Sequence, residues 1–225
     1  MSDLLAEARA LMAQGRAADA LSRLERLPAD APSAAHHFHS QALKAVGRME
    51  DAVAPARRAA DLSPTGVAYR HNLAALLGDL DRNAEAEDAA RQALAIGGDA
   101  PETWLVLGRA LQGLNRFDEA EAAYRAAVQR RPGYTDALKE LSQLIWMRTG
   151  DAKAATAELD AAVAATPGDP ALRIVKARLL DYAGRPEAAY AALTQGSLNA
   201  AAELTAAQLA LRIAPARALA HGRRI

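Results

Sequence analysis

Residues Ala100–Tyr134 read APETWLVLGRALQGLNRFDEAEAAYRAAVQRRPGY, and the fold is decided in this stretch. Trp104, Leu107, Gly108 and Leu111 recur at helical spacing, then Ala120, Tyr124 and Ala127 do the same. The stretch reads as two helices joined by a tight turn and closed by Pro132. Working outward, the alanine of the second helix serves as a ruler. It recurs as Ala20, Ala52, Ala86, Ala120, Ala155, Ala189 and Ala218, in steps of 32, 34, 34, 35, 34 and 29. The small residue of the first helix recurs as Ala8, Ser40, Ala74, Gly108, Ser142, Ala177 and Ala206. A large aliphatic follows three residues later as Leu11, Leu43, Leu77, Leu111, Ile145, Leu180 and Leu209. The closing proline returns as Pro32, Pro64, Pro132 and Pro167, with Gly98 in its place once. Three columns in step along the whole chain make it an internal repeat.

Side chains without bulk at Gly108 and Ala120 let the two helices of a unit approach closely. Leu111 and its equivalents then fill the space between that pair and the next. No unit buries its apolar face alone, so the core is gained by stacking neighbours.

With Trp104, Leu107, Gly108, Leu111, Ala120, Tyr124, Ala127 and Pro132 at these spacings, the opening stretch resembles one unit of the tetratricopeptide repeat family. The resemblance implies an all-α fold, a right-handed superhelical α-solenoid of about seven helix-turn-helix units forming one domain over residues 1–225. The units divide at approximately 1–32, 33–66, 67–100, 101–134, 135–169, 170–197 and 198–225. Several departures are visible. Pro55 lies well past the start expected for its helix, so that helix is kinked or begins late. The fifth unit carries one extra residue around Trp146–Gly150, so its first helix is longer or bulged. Asp169-Pro170 reads as a cap followed by proline at the first helical position. The sixth unit stops early at Gly196, and the seventh turns near Ala214-Pro215 and lacks its closing proline.

Composition agrees with that fold and narrows the function. Hydrophobic residues make up 51% of the chain but aromatics only 4%, so the apolar content is mostly alanine and leucine, strong helix formers. No run alternates with period two, so no sheet is expected. The 27 basic and 27 acidic side chains cancel, which removes the electrostatic footprint of a general nucleic-acid binder. No cysteine is present, excluding disulfides and thiolate metal sites and fitting a reducing compartment. The first residues, MSDLLAEARALMAQG, lack the apolar core of a signal peptide, and no apolar run reaches the roughly 20 residues that span a bilayer. The expectation is a soluble cytoplasmic protein without membrane or nucleic-acid partners.

A catalytic reading needs a nucleophile, an acid/base pair or a metal cluster, and no such constellation stands out. HExxH, a Gly-rich phosphate loop and GxSxG are all missing from the sequence. His36 and His39 share a helical face, yet they occupy the columns of Trp104 and Leu107 and so point into the inter-helix core. Arg57-Arg58 and Arg130-Arg131 read as charges complementing helix C-termini. No catalytic residue, metal or cofactor is expected, and the chain reads as a non-enzyme.

The resemblance instead implies an inner groove lined by first helices, which in this family holds a peptide or another helix. Carried over by register, that face comprises Arg9, His37, Gln41, Lys44, His71, Asn72, Arg109, Gln112, Lys139, Gln143, Trp146, Arg178, Asp181 and Tyr182. Trp146 and Tyr182 are expected near one another beside Lys139 and Arg178, an arrangement suited to an acidic or aromatic segment. The carboxylate clamp of some family members uses a Lys/Asn pair, an Asn and a Lys/Arg in successive units. Those columns here hold Leu5, Arg9, Phe38, Ala68 and Asn72, so only fragments match and the clamp is not expected.

A second resemblance is to the repeat region of bacterial 2-oxoglutarate/Fe(II) oxygenases, carried by LIWMRTGD (Leu144–Asp151) and the PGDPALRIVKARLLDYAGRPEAAYAAL stretch. It would imply a recognition arm of a larger enzyme, since no histidine here is followed two residues later by a carboxylate. The first expectation remains a non-catalytic scaffold that binds a protein or peptide in its groove. Self-association through the C-terminal end is a further possibility within that scaffold reading. The register itself is testable: Ala120→Leu should overpack the helix crossing and cost about 1–3 kcal/mol in thermal unfolding.

Overall fold

The computed structural model describes residues 2–28, 30–194, 201–210 and 213. Among these residues the regular structure is helical throughout. In chain order the helices are α1 (Ser2–Ala13), α2 (Ala17–Leu24), α3 (Ser33–Ala45), α4 (Val53–Leu62), α5 (Val67–Asp79), α6 (Asn83–Ala95), α7 (Pro101–Gly113), α8 (Phe117–Arg130), α9 (Thr135–Thr149), α10 (Ala152–Ala165), α11 (Pro170–Tyr182) and α12 (Pro186–Thr194). Residues 201–210 form a further helix, α13.

Two compact units partition the chain, Met1–Ala123 and Tyr124–Ile225. In the first, α1 packs on α2, α3 on α4 and α5 on α6, and each pair touches the next first helix. In the second, α9 packs on α10 and α11 on α12, with α11 also against α9 and α10. Ala177 and Leu180 of α11, Ala189, Ala192 and Leu193 of α12, and Ala202, Ala206 and Leu209 of α13 close one apolar core. Each Leu buried there contributes about 1.5–3 kcal/mol, the alanines less.

Both small-residue columns sit at the crossings. Ala20, Ala52, Ala86, Ala120 and Ala189 have no accessible surface, as do Ala8, Ala74 and Ala177. Ser40 and Ser142 are buried in the same column. The aliphatics Leu43, Leu77, Leu111, Ile145, Leu180 and Leu209 are buried as well. Ala218, the Gly196 stop, the Ala214-Pro215 turn and the terminal arginines lie outside the described residues.

The turn between paired helices repeats at atomic detail. The backbone N–H of Arg16, Arg48, Arg82 and Arg116 donates to the carbonyl of Leu11, Leu43, Leu77 and Leu111 at 2.9 Å each, and Arg185 donates to Leu180 at 2.8 Å. This is the bond that closes a helix C-terminus over a left-handed residue. That residue is Gly15, Gly47, Asp81, Asn115 and Gly184 in turn, with φ of 74°, 82°, 57°, 60° and 73°. Asp and Asn tolerate this conformation better than other non-glycine residues do.

The departures find physical reasons. Helix α4 begins at Val53, so Pro55 falls in its first turn, where a missing N–H costs nothing, and the helix starts late. Asp169 caps α11 through its side chain, 2.8 Å from the Ala171 N–H, with Pro170 at the first helical position. Helix α9 runs for 15 residues where α7 and α11 run for 13. Its end is built differently. The Thr149 hydroxyl donates to the Ile145 carbonyl at 2.8 Å, the Gly150 N–H reaches Trp146, and Asp151 caps α10. Gly98 fills the proline column because a Cβ there would lie 2.4 Å from the Ala93 carbonyl oxygen.

A Cβ at Gly47 would meet nothing within 4 Å, so its cost is backbone strain alone. Gly47→Ala should therefore lower stability by about 1 kcal/mol, read from urea unfolding of the full chain. Gly168→Ala, in equally open space without positive φ, should stay within about 0.5 kcal/mol.

Candidate interaction surface

In the first unit, three of the eight groove residues read from the sequence, His37, Lys44 and His71, are engaged between helices. The His37 ring of α3 stands 5.3 Å from the Tyr69 ring of α5, and Gln41 Nε2 donates to His37 Nε2 at 2.9 Å. Lys44 Nζ meets Asp79 Oδ2 at 2.5 Å, joining α3 to α5. His71 Nδ1 and the buried Thr103 Oγ1 lie 3.2 Å apart, joining α5 to α7. Asn72 is half-buried, while Arg109 on α7 and Arg9 on α1 are exposed. Arg109 and Gln112 each take part in an interaction.

A series of ion pairs runs through the same unit, and charge patterning in the sequence carries its signal. The arginine of each turn is followed three residues later by an acid: Arg16-Asp19, Arg48-Asp51, Arg82-Glu85 and Arg116-Glu119, at 2.7, 2.7, 2.8 and 2.6 Å. Three of them also reach back one repeat, Arg48 to Glu25 at 3.0 Å, Arg82 to Glu50 at 3.5 Å and Arg116 to Glu87 at 2.6 Å. Arg57 lies inside α4 rather than at its end, and it pairs with Glu85 of α6 at 2.7 Å. The dipole reading of Arg57 is thus replaced by a bond between repeats.

The second unit presents a different face. Lys139, Gln143 and Met147 follow one another along α9 at intervals of four, and Ile174, Arg178 and Tyr182 do so along α11. Met147 and Tyr182 each lie five residues after the crossing residue of their helix and are 61% and 75% exposed. The same position in the first unit holds Ala13, Ala45, Asp79 and Gly113. Trp146 is half-buried at the edge of this face. Its ring stacks on no other ring among the described residues. Lys139 has Glu140 only at 4.0 Å. Beyond Arg178 a recess of about 330 Å³ opens between α11 and α13, lined by Ala177, Arg178, Asp181, Thr205, Gln208 and Leu209. Met147, Thr205 and Gln208 were not singled out in the sequence, although the register equivalence of Met147 with Tyr182 is visible there.

Among the described residues no group of three or more His, Asp or Glu is placed to hold a metal ion, and no helix is long and apolar enough to cross a membrane.

Residues 105–170 match the tetratricopeptide repeat family. A tetratricopeptide repeat protein from Parabacteroides merdae shares the fold with a TM-score of 0.71 at 17% identity, over 94% of this chain and 86% of that one. Residues 105–170 carry the tetratricopeptide repeat, and the chain as a whole shares its fold. MamA from Desulfovibrio magneticus RS-1, from its residue 41 onward, is similar with a TM-score of 0.65 and 17% identity, over 72% of this chain and 93% of that one. YrrB, described as a tetratricopeptide repeat protein with an unusual peptide-binding site, has a TM-score of 0.54 and 18% identity, over 80% and 91% of the two chains. No curated protein matches by sequence. At such identities the likeness is one of fold, the all-α solenoid of this family. The oxygenase resemblance of Leu144–Asp151 gains no support from these matches.

The histidines of the tetratricopeptide units give the protein a pH dependence. His36, His37, His39 and His71 all titrate below the ordinary histidine value, chiefly because burial disfavours the charged ring. Arg58 adds to this at His36, whereas Glu25 and Glu102 oppose it at His39 and His71. The unfolded chain therefore takes up protons first as pH falls below about 6.5, and stability falls with it. The urea midpoint should drop between pH 7.5 and 5.5, and His71→Gln should reduce that drop.

Proposed function

We propose that the chain is a non-catalytic scaffold that holds a segment of another protein on the first-helix faces of its repeats, with the α9–α11 face as the principal contact. The observation that carries this reading is the exposure of Met147 and Tyr182 at one register position on adjacent helices. Large apolar side chains left open side by side mark a surface built to be covered. Tyrosine and methionine suit that role, the first as a rigid anchor with a polar tip and the second as an adaptable one. Lys139, Gln143, Trp146 and Arg178 border them and supply polar contacts around an apolar centre.

Arg9, His37, Gln41, Lys44, His71, Asn72, Arg109 and Gln112 lie on the first helices of the first unit and serve as contacts of that unit's own. Several already join helices, so their first role is to hold the scaffold in register. The peptide-binding description of YrrB belongs to that protein, and the shared fold makes the same class of ligand a reasonable one here.

The reading is tested by selecting a phage-displayed library of random dodecapeptides on the full chain and measuring the selected peptides by fluorescence anisotropy. Tyr182→Ala and Lys139→Glu should each weaken binding roughly tenfold or more, the scale of a lost anchor or a reversed contact. Both side chains are exposed, so the urea midpoint should move by no more than about 0.5 kcal/mol. Failure to enrich any peptide, or binding indifferent to both changes, overturns the proposal.

A further inference from the structure

The recess between α11 and α13 differs from the apolar ledge beside it. Its floor is Ala177 and Leu209, which are 0% and 4% exposed, and its rim is polar. At about 330 Å³ it lies at the lower limit of roughly 300–1,000 Å³ for ligand pockets, so it takes a side chain rather than a helix. Two groups on the rim can donate. Arg178 has no hydrogen bond or ion pair among the described residues, and neither does the Gln208 amide. The Thr205 hydroxyl is spent on the Ala201 carbonyl at 2.8 Å, and Asp181 is engaged in an interaction of its own.

The contrast with the first unit sharpens the point. There the turn arginines each lie on a carboxylate of the chain itself, at 2.6–2.8 Å. Arg178 instead offers a guanidinium whose planar fork matches a carboxylate in two parallel bonds, beside an amide donor and over an apolar floor.

From this geometry we infer that the α11–α13 recess is a subsite for an acidic side chain, an Asp or Glu of the segment bound by the scaffold. The inference rests on the reading given under the proposed function and adds the chemistry of its ligand. Arg178 precedes Tyr182 by one turn of α11, so the acid lies next to the residue of the segment that covers Tyr182. The preferred segment is therefore one in which a carboxylate stands beside an apolar side chain.

The experiment runs the same dodecapeptide library in parallel on the full chain, on Arg178→Gln and on Arg26→Gln. Peptides displayed through their C-termini carry no chain-end carboxylate, so any acid selected is a side chain. The wild-type pool should be enriched in Asp and Glu at least threefold over the input, adjacent to an apolar position. The Arg26→Gln pool, changed at an exposed arginine off the binding faces, should match it, and the Arg178→Gln pool should fall back to the input level. Acid-rich pools from all three proteins, or none from the wild type, overturn the subsite while leaving the scaffold reading in place. A library from which nothing is selected overturns both.

Discussion

Everything in this protein hangs on the close crossing of two helices at a contact with no side-chain bulk. Ala8 against Ala20, Ala74 against Ala86 and Ala177 against Ala189 are pairs of columns in which neither residue keeps any accessible surface. With that approach fixed, the leucine three residues beyond has one place to go, into the gap before the next pair. The same leucine carbonyl accepts the arginine N–H that closes the turn. One residue per repeat thus serves packing through its side chain and chain reversal through its backbone. That double use is why the period is so strict in the sequence: a slip of one position would lose the core contact and the turn together.

This also explains what was legible in the sequence. The columns at Ala120, Gly108 and Leu111 could be read because each residue type there answers one requirement that no other type meets. Pro55 and Asp169 were equally readable, since proline and capping residues act on the backbone beside them. Side chains with several possible partners could not be placed in this way. His37 and His71 have the right register for an inner face, yet a Tyr69 ring and a Thr103 hydroxyl on the next helix claim them. Arg57 looked like a dipole charge because its partner, Glu85, lies 28 residues away. Met147 carries neither charge nor ring to mark it in the sequence, and the exposure of its thioether depends on the neighbouring helix.

The two units differ in where their ion pairs sit. In the first, turn arginines bind acids within their own repeat and in the one before. A single exposed pair of this kind is worth about 0–1 kcal/mol, but pairs sharing members hold one another in place. Arg82 shows this, with Glu85 and Glu50 both on one guanidinium and Glu85 shared with Arg57. In the second unit pairs between helices persist, Lys176 with Asp160 at 2.6 Å and Arg125 with Glu158 at 3.8 Å. Lys139 meets Glu140 only at 4.0 Å, Arg178 shares its recess with Asp181, and Met147 and Tyr182 stay open.

The change begins at the end of α9. An inserted residue there moves the turn off the pattern, and Gly150-Asp151 stands where the other turns place an arginine after the left-handed residue. The Ile145 carbonyl then takes the Thr149 hydroxyl at 2.8 Å. The turn remains closed and α10 gains a proper cap from Asp151, so stability is kept by a different set of bonds. What is lost is the turn arginine, and the repeat is tied to its neighbours instead through Glu158 with Arg125 at 3.8 Å and Asp160 with Lys176 at 2.6 Å. A repeat that no longer relies on that pairing can leave cations and large apolar groups on its exposed face, and such groups are what a partner needs.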